Sequence, residues 1–104
     1  MLINRDISRR IEVLASQFPA VVITGARQVG KTSIARELFP NHSYVTLDDF
    51  SIADLAESNP TEFLDRHPAP LIIDEIQYAP NLFRYIKIDI DRNRQESGRY
   101  ILTG

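Results

Sequence analysis

Four short apolar runs divide the chain, at residues 20–24, 43–47, 70–74 and 99–103. The central triplets Val21-Val22-Ile23 and Leu71-Ile72-Ile73 are continuous rather than alternating. That pattern fits strands covered on both faces of a parallel sheet. Helical periodicity fills the intervals. Ile7, Ile11, Leu14 and Phe18 recur at helical spacing, predicting a helix over 6–17. A second helix is expected from Gly30 to just before Pro40, with Ile34, Ala35 and Leu38 inward. A third falls within 52–66 and is broken at Asn59-Pro60, an N-cap followed by a first-turn proline. Residues 80–94 admit two readings. Ile86, Ile88 and Ile90 alternate with Lys87, Asp89 and Asp91 as in a strand, yet Leu82, Ile86 and Ile90 recur every four residues as in a helix. Two buried parallel strands need a crossover between them, so helix is the expectation. The elements then alternate α-β-α-β-α-β-α-β, an α/β layered fold.

Composition narrows the picture modestly. A chain of 104 residues suffices for one domain and is too short for two. Its net charge of −2 supplies no basic field for nucleic acid, and its ten arginines are scattered. Lys31 and Lys87 are the only lysines. The lack of cysteine excludes disulfide and cysteine–zinc chemistry and is compatible with the cytoplasm, the compartment expected here. No apolar stretch approaches a membrane span, and charge arrives too early at the N-terminus for a signal peptide.

Candidate chemistry sits between the first strand and the second helix. Gly25-Ala26-Arg27-Gln28-Val29-Gly30-Lys31-Thr32 follows the spacing G-x-x-x-x-G-K-[ST] of a phosphate-binding loop. Gly25 and Gly30 permit the positive φ that lets backbone wrap an anion. The wrapped N–H groups and the positive end of the next helix then face the phosphates. Lys31 reaches the β- and γ-phosphates as a point charge, the Thr32 hydroxyl is suited to Mg²⁺, and Ser33 completes the nucleotide-binding set. A chance glycine turn is the competing explanation. Strand, loop and helix in the required order argue against it.

Leu71-Ile72-Ile73-Asp74-Glu75-Ile76-Gln77 carries a second signal. An apolar strand ending in adjacent acids is a Walker B pattern; a strand that simply exits into an acidic turn is the competing explanation. Asp74 is the candidate Mg²⁺ residue. Glu75 is the candidate for orienting and deprotonating water, help worth about 10²–10⁴ in rate. The adjacent acids favour hydrolysis over phosphotransfer of the nucleotide-kinase type.

GARQVGKTS, YVTLDD, LIIDEIQYAP and RYILTG, in this order, resemble the AAA-type ATPase domain of a large group of bacterial and archaeal ATPases that carry a C-terminal domain of unknown function. The resemblance covers nearly the whole chain. It implies a P-loop NTPase sheet with flanking helices, ATP and Mg²⁺ as ligands, and Lys31 and Thr32 as Walker A residues. Asp74 and Glu75 become Walker B residues, and Thr103 becomes the sensor 1 candidate that contacts the γ-phosphate or the water. Asp48 and Asp49 recur in the family pattern; they either cap the next helix or face the nucleotide.

Proteins of that kind continue beyond the position of Gly104. The expectation is therefore an N-terminal piece truncated after the sensor 1 strand, lacking the lid, sensor 2, the arginine-finger region and the C-terminal domain. Strand 20–24 would then form an uncovered sheet edge open to self-association. Two functions compete: an ATP-hydrolysing core, weakly active or inactive in isolation, and a nucleotide-gated protein-interaction module with negligible turnover. Arg92 and Arg94 are read as helix-end charges suited to the dipole rather than groups acting across an interface.

Overall fold

The computed structural model describes residues 5–25 and 30–104. Helices α1 (Arg5–Gln17), α2 (Lys31–Leu38), α3 (Phe50–Ser58), α4 (Pro60–Arg66) and α5 (Leu82–Arg92) alternate with strands β1 (Ala20–Ile23), β2 (Ser43–Thr46), β3 (Leu71–Asp74) and β4 (Tyr100–Thr103). The strands pair in parallel, in the order β1-β4-β3-β2. This is the expected α/β sheet. Each strand lies within a residue of its expected position.

Side-chain alternation divides the core into two layers. Val45, Leu71, Ile73, Tyr100 and Leu102 point to one face, where they pack with Ala56, Phe63, Leu82 and Ile86. Val21, Ile72 and Ile101 point to the other and meet Ala15 and Ala35. The centres of β1, β3 and β4 are apolar on both faces because helices cover both sides.

Local signals explain the helix boundaries. Asp49 opens α3 by accepting hydrogen bonds from the amides of Ser51 and Ile52, so the helix begins slightly before the expected Ile52. Asn59 ends α3 and caps α4 through the Glu62 amide, with Pro60 in the first turn. The ambiguous segment is helix: Ile86 is buried while Ile88 is 40% exposed, a spacing that a strand would not produce. In α1 only Ile11 and Ala15 are buried; Ile7, Leu14 and Phe18 of the apolar stripe stay substantially exposed.

A polar lock ties α5 to β4. Asp89 accepts from the Arg99 guanidinium at 2.7 and 3.1 Å and from the Tyr100 hydroxyl at 2.6 Å. Burial, then the bond to Asp89 and its charge, pushes the Tyr100 phenol well above its ordinary range. Burial works against the Arg99 charge, but Asp89 and Glu96 outweigh it and raise its pKa.

Candidate functional site

The face of the sheet that carries Ile72 and Ile101 ends in polar residues at the carboxyl ends of its strands. Thr46 pairs in register with Asp74, and Ile23 with Thr103. These positions continue the α2 side of the sheet, so their side chains rise toward the start of α2. There the first residues of α2 meet them.

Asp74 is the focus. Its Oδ1 accepts from the hydroxyls of Thr32 and Thr103, each at 2.7 Å. Its Oδ2 accepts from Tyr44 and Thr46, each at 3.1 Å. Burial alone would raise the carboxyl pKa, but the hydroxyls of Thr103, Thr32, Thr46 and Tyr44 together hold it below the ordinary aspartate value. The group is therefore a stabilised carboxylate. Tyr44 is shifted the opposite way, its phenol raised by burial and then by the adjacent Asp74 charge. Arg36 lies over the Tyr44 ring at 4.4 Å from its centre.

Lys31 is buried, with 8% of its surface exposed. Its ammonium donates to the backbone oxygens of Gly25 at 2.8 Å and Gly104 at 3.1 Å. Among the described residues no carboxylate forms an ion pair with it. The helix it opens is also uncapped by any side chain, whereas α3 and α4 are capped by Asp49 and Asn59. Gly30 precedes α2 in the left-handed region, with φ 67° and ψ 41°, a conformation natural to glycine. The start of α2 and an ammonium that pairs with no carboxylate side chain among the described residues share one small volume.

That volume is a cavity of about 370 Å³ lined by Gly30, Lys31, Thr32, Ser33, Asp48, Asp74 and Glu75. A larger hollow of about 470 Å³ runs between α1 and α2 beside Arg5, Glu12 and Glu37, away from this convergence. The two acids with open roles separate here. Asp49 is a helix cap, and Asp48 is a wall of the cavity. Glu75 takes a left-handed backbone, φ 58° and ψ 47°, which turns the chain sharply from β3 into a 3₁₀ turn, Ile76–Tyr78.

A family model described as an AAA domain matches residues 17–104. The chain belongs to this AAA domain family. It is also 32% identical over 106 residues to an uncharacterized protein of Mycobacterium bovis and, equally, to one of Mycobacterium tuberculosis. Those alignments take in 100% of this chain and 24% of each relative, so the chain spans about a quarter of the length of the curated relatives it matches. No solved structure matches the chain.

Membership of the AAA domain family suggests nucleotide-binding function of the ATPase type, and the family implies the use of nucleotide and usually of Mg²⁺. Lys31, Thr32, Ser33, Asp74, Glu75 and Thr103 of the expected set meet around one site. Gly25 reaches it through its carbonyl and Gly30 through the cavity wall. Ala26, Arg27, Gln28 and Val29 lie outside the described residues. Tyr44, Thr46 and Gly104 escaped sequence reasoning, because their roles arise from register across the sheet and not from any local motif. Among the described residues, this AAA domain has no cluster of three or more His, Cys, Asp or Glu side chains able to hold a metal. It has no helix long and apolar enough to cross a membrane.

Proposed function

We propose that this AAA domain binds ATP with Mg²⁺ and hydrolyses it. The buried Lys31 ammonium carries the reading. A charge taken out of water needs compensation, and two carbonyl dipoles supply only part of it. An anion entering beside the uncapped start of α2 completes it. Lys31 then exchanges carbonyl partners for phosphate oxygens, and the α2 amides cradle the same group.

The donor set suits Mg²⁺: a hydroxyl and a carboxylate, hard oxygen ligands already 2.7 Å apart on Thr32 and Asp74. With two oxygen donors from the described residues, the ion would keep waters and phosphate oxygens as its other ligands. When bound, the ion neutralises charge that develops on the phosphates. Glu75, on the cavity wall, takes the proton from water as the water oxygen bonds to the γ-phosphorus and ADP leaves. Thr103, the sensor 1 candidate, donates its hydroxyl to Asp74 from the neighbouring strand end, and so acts on the γ-phosphate side of the site by holding that carboxylate in place.

Calorimetric titration with ATP–Mg²⁺ and a turnover assay test the proposal. Lys31→Ala loses most of the affinity. Glu75→Gln keeps binding and slows hydrolysis by about 10²-fold or more. Equal affinity in Lys31→Ala, or undiminished turnover in Glu75→Gln, would refute the corresponding role.

One observation favours the alternative of a nucleotide-gated interaction module. Phe50 is 93% exposed and stands with Tyr78 over a hollow of about 420 Å³. Asp48 is common to that hollow and the phosphate-side cavity. On this reading nucleotide occupancy alters the aromatic surface without turnover. Tight ATP binding with hydrolysis no faster than the Glu75→Gln background would select it.

A further inference from the structure

We infer that Gln77 is a positioning residue for Glu75, and that Gly104 is small in order to admit it. The inference rests on the reading of Glu75 as the group that activates water.

The argument begins with the backbone. Among the described residues Glu75 is the only non-glycine with positive φ. A residue with a Cβ seldom adopts that region without surrounding support. Its effect is to end β3 abruptly and bring the second residue onward back beside the first. Gln77 Nε2 consequently donates to Glu75 Oε2 at 3.2 Å. Glu75 remains on the cavity wall, so the bond restrains its carboxylate at the rim rather than withdrawing it.

The far end of the Gln77 side chain lies against Gly104. A Cβ placed on Gly104 would collide with Gln77 Oε1 and come within 3.3 Å of Ile76 Cγ2. The amide therefore lies across a bare Cα at the end of β4, with its nitrogen toward Glu75. Gly104 serves both halves of the site: its backbone oxygen accepts from Lys31, while its missing side chain leaves room for Gln77. Both Gln77 and its bond are at the surface, so Gln77 adds little to the core. Its contribution is orientation, and misplacing a catalytic group by an ångström can lower a rate substantially.

The test is steady-state ATP hydrolysis by the protein at its full natural length, with kcat and KM separated. Gln77→Ala is expected to lower kcat about tenfold while the KM for ATP and the melting temperature stay unchanged. Gly104→Ala, by displacing Gln77, lowers kcat to the same level, and the double variant goes no lower. Adding Gln77→Ala to Glu75→Gln causes no further loss, because the group being positioned has already lost its base. Wild-type kcat in Gln77→Ala, or losses that multiply in the Glu75→Gln background, would overturn the inference and leave the Glu75 assignment standing. Full turnover in Glu75→Gln alone would remove that assignment and the inference with it.

Discussion

Replacing Lys31 by Met separates folding from binding at one position. The thioether chain nearly matches the lysine stem in shape, so packing at the start of α2 survives. Two hydrogen bonds from an ammonium are lost, each with a net worth of about 1.5–3 kcal/mol. Against them stands the desolvation of the charge, which reaches several kcal/mol per ion. The abandoned acceptors are the oxygens of Gly25, at the surface, and Gly104, partly exposed; water can replace the lysine at both. The terms nearly cancel, and Lys31→Met should alter unfolding free energy by no more than about 1 kcal/mol in either direction. Nucleotide affinity has no such compensation. A lost charge-assisted contact to phosphate lowers it about 10–100-fold, leaving the backbone amides to provide the remainder. Urea denaturation followed by circular dichroism measures the first quantity, and a fluorescence titration with ATP–Mg²⁺ the second. Destabilisation beyond about 2 kcal/mol with unchanged affinity would mean that the ammonium belongs to the fold, and would refute the reasoning.

Thr103 is fully buried and bonds a carboxylate oxygen at 2.7 Å, so Thr103→Val should destabilise by about 1–2 kcal/mol. Thr46→Val, losing a longer bond to Asp74 and a 3.2 Å bond from the exposed Asp48 amide at a partly exposed position, should cost less; chemical denaturation showing equal losses contradicts this. Burial, followed by the Arg66 charge, lowers the His67 pKa, so the unfolded chain binds its proton more readily. Stability is then full above pH 6.5 and declines as pH falls below that value, and His67→Gln should flatten this part of a melting-temperature profile. Val22 is 53% exposed on the edge strand β1, and the 104-residue chain is expected to self-associate there in light scattering. Val22→Lys should restore the monomer mass, and a monodisperse wild-type monomer would dismiss the expectation.

Strand positions were legible because a two-faced sheet leaves no polar alternation to misread: Val21-Val22-Ile23 and Leu71-Ile72-Ile73 could hardly be anything else. The fifth helix was legible only through topology, since its isoleucines satisfy both periods and the need for a crossover decides between them. The glycines, Lys31, Thr32 and the acids of the site stand in local motifs. The hydroxyls around Asp74 do not. Tyr44 and Thr46 reach it only because Thr46 lies opposite Asp74, a pairing that no single segment encodes. Similarly, Asp48 and Asp49 look equivalent along the chain. They diverge because only one sits where its carboxylate can accept the first amides of α3.

The sheet order has a consequence for how the molecule is assembled. Among the described residues β4 follows the other three strands in sequence yet is interior, and β1 and β3 share no hydrogen bond because β4 stands between them. Until Tyr100–Thr103 inserts, the strand leading to Lys31 and the strand ending in Asp74 have no common neighbour in the sheet. Insertion joins residues about eighty positions apart and is a late, non-local event. It also brings Thr103 to Asp74 and the Gly104 oxygen to Lys31 in a single movement. A ribosome-bound chain stalled before β4 emerges should therefore retain no nucleotide, and the onset of nucleotide capture during synthesis would time the closing of the sheet.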